Sequence, residues 1–283
     1  MYQWPKNLVV FAALVFAEQL GDPGQIAQSI AAFVVLCAAS SAMYLFNDVW
    51  DREKDRAHPQ KRGRPIASGE LSVSTAVVIA LLLALGSLAG AYAVRWQLLA
   101  PVAGYLILSL AYTLALKNVM LVDVLTVAIG FVIRAMAGAV ALDVTFSNWL
   151  MVCTLFLALF LSLGKRRREM TLLDSQATNH REVLRHYSVD FLDRLTLIVA
   201  ASTLLSYAIY TCSPEVVERL KTDKLYLTLP FVVFGLFRYL HLVHHKAGGG
   251  DPSKTLLEDW PLWLTVGLWG LTCAGIIYGR ALM

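Results

Sequence analysis

Along this chain long apolar runs alternate with short polar stretches from one end to the other. The runs lie near 7–20, 26–46, 73–94, 98–116, 120–142, 148–164, 191–212, 225–243 and 262–282. Crossing a bilayer core takes about 20 apolar residues in helical form, and most of these runs reach that length or nearly so. The pattern therefore predicts nine helices and no strands. The first run is the shortest, because Glu18, Asp22 and Pro23 crowd its end. No low-complexity segment or long linker divides the sequence, so residues 1–283 are expected to form a single all-α integral membrane domain.

Composition points the same way. The chain is 58% hydrophobic and 16% charged, whereas soluble domains carry about 25% charged residues. Charge placement then sets orientation. The stretches 1–6, 47–72, 117–119, 165–190 and 244–261 hold 16 of the 24 Lys and Arg residues, against 5 in the stretches on the other side. Lys and Arg gather in cytoplasmic loops, so the N-terminus is expected inside and the C-terminus outside, in a multi-pass protein of the inner (plasma) membrane. The net charge of +4 follows from that bias, and no nucleic-acid partner is expected. The first run has no small-residue cleavage site and is not read as a signal peptide. Cys37, Cys153, Cys212 and Cys273 fall inside apolar runs without metal-ligand spacing, as packing residues do.

The polar stretches carry the candidate chemistry. After the second run comes NDVWDREKDRAHPQKRGRPIASG, residues 47–69, with four acids and six Lys/Arg. The order is unusual: acids first, cations after. Asp48, Asp51 and Asp55 are spaced three and four apart, which places them on one face of a helix. Three like charges there repel, and a divalent cation reverses the sign. Mg²⁺ takes one or two carboxylates and completes its shell with water and phosphate oxygens. Asn47 adds an amide oxygen or a hydrogen bond to substrate. Lys61, Arg62 and Arg64 follow, stiffened by Pro59 and Pro65, and such cations grip phosphate. Acids for Mg²⁺ followed by cations for phosphate suit a pyrophosphate substrate. Anchoring on anionic lipid headgroups is the other reading of the basic part.

NDVWDREKD fits the N-D-x-x-D-x-x-x-D motif at every position, and through it the chain resembles the UbiA superfamily of intramembrane prenyltransferases. The following D-R-x-H-P-x-K-R-x-R-P-I-A-x-G is similar to the decaprenyl-phosphate phosphoribosyltransferase branch. QWPKNLVVFA, YTLALKNVMLVDVLTVAIGFVIRAMAGAVA, GKRRREM and GGGDPSKTLLEDWPL extend the resemblance over nearly the whole chain. It implies a bundle of nine transmembrane helices with an active-site cap on the cytoplasmic side. It also implies transfer of 5-phosphoribosyl from phosphoribosyl pyrophosphate to a polyprenyl phosphate, with Mg²⁺ as cofactor and Asp48, Asp51 and Asp55 as catalytic metal ligands. The alternatives are a prenyl diphosphate condensed with an aromatic acceptor, or a non-catalytic lipid-binding or transport protein. Homo-oligomers are compatible with either.

Prenyl-diphosphate users in that superfamily carry a second aspartate motif after the sixth helix. This chain has Lys165, Arg166, Arg167, Arg168 and Glu169 there, and no D-x-x-x-D. A donor with an extra phosphate and a phosphorylated acceptor call for more cations and fewer acids. Lys165 and Glu169, one helical turn apart, are expected to pair and leave Arg166 for phosphate; Arg167 and Arg168 serve equally well as topological charges. Asp123 and Arg134 are eleven positions apart on one helix and face nearly the same way. Asp123 is placed near the inner mouth, either to contact ribose or to support a residue that does; Tyr112 and Lys117 face the same mouth, and Lys6 is a further candidate cation. Arg134, deeper, requires a buried partner, and a structural ion pair or carbonyl clamp and a substrate contact are equally open to it. His241, His244 and His245 have no completing acid or Cys and are not read as a metal site; the glycines of 248–250 are expected to give a mobile flap.

Overall fold

A computed structural model describes residues 4–57, 61–145, 147–173, 182–245 and 258–279. The expected Pro59 turn and the glycine flap lie outside the described residues, as does the side chain of His245.

The described chain is helical throughout. In order it runs through α1 (Trp4–Phe16), α2 (Pro23–Trp50), the short α3 (Arg52–Ala57) and α4 (Pro65–Ser68), α5 (Val73–Val94), α6 (Leu99–Leu114) and α7 (Val122–Leu142). Then come α8 (Asn148–Leu173), α9 (Val189–Cys212), the short α10 (Pro214–Leu220), α11 (Leu229–His245) and α12 (Trp260–Tyr278). In a lipid interior, where water cannot satisfy the backbone, helices are the form such a chain can take. Their starts are written locally. Asp22 accepts from the amides of Gly24 and Gln25, with Pro23 as the first helical residue. Ser72, Ser188 and Asp259 cap α5, α9 and α12 in the same way.

Eight of these helices are long and apolar enough to cross a membrane. The expectation of nine is thus met by eight among the described residues. The first is a short helix, 3-10 as far as Val10, and it stops at Phe16 rather than reaching residue 20. Glu18 then takes a left-handed backbone, φ 58°, which turns the chain before α2.

α7 is the centre of the bundle: 56% of its apolar span is buried, against 17% for α5. Gly138 lets α1 approach it closely, the Val10 carbonyl lying where a Cβ would stand. α1, α2, α6 and α8 surround α7, and α9, α11 and α12 complete the second half. Leu82, Leu85, Ile107, Phe237 and Leu271 are exposed on the outer helices, where a bilayer would cover them. The polar ends of α2, α6, α7, α8, α9 and α11 gather at one end of the bundle, and the functional candidates lie there.

Candidate functional site

Asp48 lies on the last turn of α2, Asp51 ends that helix, and Asp55 lies on α3. The helix breaks at Asp51, with φ −91° and ψ 8°. The three aspartates therefore do not share one uninterrupted helix face, as the spacing predicted. Two of them still converge. Arg64, just before α4, places Nη1 2.6 Å from Asp48 Oδ1 and 2.8 Å from Asp55 Oδ2. Asp55 is buried, unusual for a carboxylate on a short surface helix. Asp51 turns instead to Lys117, whose Nζ lies 2.6 Å from both its oxygens. Among the described residues, no three acidic, His or Cys groups converge on one point. The Asp48–Asp55 pair does converge on a cationic nitrogen, and two hard oxygen donors suit Mg²⁺, which takes one or two carboxylates.

Lys117 owes its position to α6. That helix ends at Leu114, a 3-10 turn follows over Leu116–Asn118, and the lysine is carried inward toward the end of α2. Asn47 accepts from Thr113 of α6 at 3.5 Å. Lys61 and Arg62 are exposed beyond the acids, and Lys61 lies close enough for its charge to act on Asp48. Lys6, before the apolar part of α1, lies 3.5 Å from the Tyr44 hydroxyl and 5.8 Å over its ring.

The second half of the site is built on α8. Lys165 to Arg168 were expected in a loop; they are instead the continuing turns of α8, which runs on to Leu173. The expected pairing is also reversed. Arg166 takes Glu169 at 2.7 Å, Asp123 at 2.6 Å and the Tyr112 hydroxyl at 3.3 Å. Lys165, expected to pair with Glu169, makes no ion pair among the described residues, although the charges of Glu169, Lys6 and Arg166 act on it. The physical reason is burial. Arg166 is 4% exposed and faces α7, where Asp123 is fully buried, so the buried carboxylate selects the buried cation.

Tyr187 completes this cluster and had no signal in the sequence. Its hydroxyl donates to Asp123 Oδ1 at 2.8 Å and accepts from the Leu121 amide at 2.8 Å. Leu121 has φ 66°, a left-handed backbone that costs energy for a branched residue, and the Tyr187 contact holds it at the entry to α7. Burial, and then the bond to Asp123, push the Tyr187 phenol above its ordinary range, so it stays a donor.

Other charges take structural partners. Arg167 bonds Asp193 and the Val243 carbonyl, and His244 lies 3.3 Å from the same Asp193. Asp259 forms a two-bond pair with Arg238. Arg134 meets Asn7 and Tyr105, so it has buried partners, both neutral.

The UbiA prenyltransferase family profile matches residues 7–166. The decaprenyl-phosphate phosphoribosyltransferase of Mycolicibacterium smegmatis is 34% identical over 285 residues, covering 98% of this chain and 90% of that protein. Its counterpart in Mycobacterium tuberculosis H37Rv is 32% identical, over 98% of this chain and 92% of its own length. In three dimensions the chain is similar to a UbiA homologue from Archaeoglobus fulgidus bound to DMAPP and Mg²⁺. The TM-score is 0.73 at 17% identity, over 97% of this chain and 95% of that one, a likeness that concerns the fold alone. With the N-D-x-x-D-x-x-x-D residues placed at the bundle mouth, this chain belongs to the UbiA prenyltransferase family, in the decaprenyl-phosphate phosphoribosyltransferase branch.

Proposed function

We propose that this chain is a polyprenyl-phosphate phosphoribosyltransferase. It transfers 5-phosphoribosyl from phosphoribosyl pyrophosphate to a polyprenyl phosphate and releases pyrophosphate. The observation that carries the reading is the convergence of Asp48 and Asp55 on one cationic nitrogen of Arg64 at the end of α2. Arg166 of α8 stands across the mouth, linked to the same end through Tyr112 and Lys117 at the end of α6.

In the reaction a lipid phosphate oxygen forms a bond to the anomeric carbon as the bond from that carbon to pyrophosphate breaks, its electron pair leaving with pyrophosphate. The attacking oxygen is already anionic, so no strong base is required, and attack opposite the leaving group inverts the anomeric centre. Mg²⁺, held by Asp48 and Asp55 with Asp51 beside them, would neutralise charge developing on the leaving pyrophosphate. Lys61, Arg62 and Arg64 are placed to bind phosphate oxygens, Asn47 and Lys117 to orient the acidic group. Asp123 fixes Arg166, so that the guanidinium approaches substrate in one orientation, with Glu169 and Tyr112 limiting its swing. Lys6 and Lys165 supply positive charge inward of the acids. With the Lys/Arg asymmetry as its basis, this mouth faces the cytoplasm in a nine-segment fold of the inner membrane.

Purified protein given labelled phosphoribosyl pyrophosphate and a series of polyprenyl phosphates should form lipid-linked phosphoribose. A parallel reaction with a prenyl diphosphate and an aromatic acid should form nothing. Product in the second reaction alone would assign the chain to aromatic prenylation.

A further inference from the structure

Arg134 is a cation 5% exposed in the middle of α7, eleven positions past Asp123 and so about 16 Å deeper along the helix. Its Nε donates to Asn7 Oδ1 at 2.8 Å and its Nη2 to the Tyr105 hydroxyl at 2.9 Å. The guanidinium also lies over the rings of Tyr105 and Phe131, at 4.4 and 5.2 Å. Among the described residues no carboxylate reaches it, and no atom accepts from Nη1. A buried charge without a counter-charge is expensive in a bundle of this kind.

Its partners do not explain that cost. Asn7 Oδ1 also accepts from Ser40, and the Asn7 amide donates to Cys37, both at 3.2 Å. Removing the guanidinium would leave Asn7 its bonds to Ser40 and Cys37, and neither Asn7 nor Tyr105 supplies a counter-charge. The charge is therefore surplus to the network that holds it.

Its direction is informative. Gly130 lies one turn nearer the start of α7, and a Cβ there would stand 3.5 Å from Nη1. Side chains on a helix lean toward its N-terminus, so Nη1 points back over a bare glycine toward the end where Asp123 and Arg166 lie. Lys6 follows in that direction: it neighbours Asn7, the partner of Arg134, and reaches the Tyr44 hydroxyl, one turn nearer the end of α2 than Ser40.

We propose that Arg134 binds a phosphate monoester through its free Nη1 and the second proton of Nη2. The inference rests on the phosphoribosyl-transfer reading, in which both substrates bring such a group: the 5-phosphate of the donor and the phosphate of the lipid. A planar fork suits either.

The test measures thermal stabilisation of purified protein by each substrate alone, phosphoribosyl pyrophosphate in one arm and farnesyl phosphate in the other. It compares wild type, Arg134→Met and Arg134→Lys. Arg134→Met should melt at or above the wild-type temperature, because an unbalanced charge has been replaced by an apolar chain. Its half-saturating concentration should rise tenfold or more for at least one ligand, and the arm affected identifies the phosphate. Arg134→Lys should weaken the same arm, since it keeps charge and loses the fork. A melting temperature well below wild type would make Arg134 a structural staple and overturn the proposal. Wild-type saturation in both arms would overturn it as well, as would a wild type that binds neither ligand. A wild type that binds a phosphate ester through Arg134 yet forms no lipid-linked phosphoribose would instead remove the functional reading and leave this site standing.

Discussion

Lys117 holds Asp51 by both carboxylate oxygens, at 2.6 Å each, across 66 positions of sequence. The pair ties the end of α2 to the turn after α6, and it is largely buried, Lys117 being 7% exposed. Removing one partner of a buried pair leaves the other charge unbalanced, at a cost of about 3–5 kcal/mol, whereas removing both costs far less. Lys117→Met should therefore lower the melting temperature sharply and abolish transfer. Adding Asp51→Asn should restore most of the melting temperature and none of the activity. A double variant as unstable as the single one would mean that the pair is not what Lys117 contributes.

Arg64 and a divalent cation compete for the same oxygens of Asp48 and Asp55. Metal entry must displace a charge-assisted contact worth about 1.5–3 kcal/mol. Arg64→Met should bind Mn²⁺ about tenfold more tightly than wild type when no donor is present, read directly by titration calorimetry. The same variant should need at least tenfold more donor for half-maximal rate, because the displaced guanidinium is the group offered to its phosphates. Transfer by wild type should stop in chelator and return with Mg²⁺. Equal Mn²⁺ affinity in the two proteins would separate Arg64 from the metal site.

How much of this was legible in the sequence follows from the range of each interaction. The acidic motif was legible because Asp48, Asp51 and Asp55 lie within eight positions of each other. The break at Asp51 was not, because the spacing reads on as one helix through it, and the side chain that meets Asp51 comes from 66 positions away. Arg166 and Lys165 are adjacent and alike in charge, and only the packing of α8 on α7 decides which of them meets Asp123. Tyr187 acts from 64 positions away through one hydroxyl, and no local pattern marks such a residue. Most spans were legible almost to their ends, since burial in lipid requires little beyond length and apolarity. The exceptions were α1, which stops at Phe16 before the left-handed backbone at Glu18, and α8, whose charged turns run on to Leu173.

Tyr187 is expected to act as a positioning residue for Arg166 through Asp123. Tyr187→Phe removes the bond to Asp123 and the partner of the Leu121 amide, and should cost about 1–3 kcal/mol of stability. Transfer should fall with a raised half-saturating donor concentration and an unchanged metal requirement. The raised phenol also fixes a sign. Its contribution is complete below the ordinary tyrosine value of 10.0 and is lost as pH rises through the higher folded value. The stability difference between wild type and Tyr187→Phe should therefore stay constant from about pH 6 to 9 and shrink only in stronger alkali. A difference that changes near neutrality would show that another group titrates there.

Gly138 sets the distance between α7 and α1. A Cβ at this position would lie 2.2 Å from the Val10 carbonyl oxygen and 2.9 Å from its carbon, contacts that real side chains do not make. The obstacle is backbone, which cannot rotate aside as a side chain would. Gly138→Ala must push α1 away from the bundle centre, and Lys6 and Asn7 travel with it. Alanine alone would favour the helix by about 1 kcal/mol over glycine, so the intrinsic preference and the packing pull in opposite directions. Overpacking of a tight core costs about 1–3 kcal/mol and sometimes more, and here the rigid neighbour puts the cost at the upper end. The variant should insert into the membrane, melt below wild type and lose donor affinity, because the Lys6 end of the site has moved. Gly130→Ala is the control, since its Cβ would meet only the Arg134 guanidinium at an ordinary 3.5 Å, and it should melt close to wild type. If Gly138→Ala melts as high as Gly130→Ala, α1 does not pack on α7 as closely as 2.2 Å implies, and the placement of Lys6 beside the site falls with it.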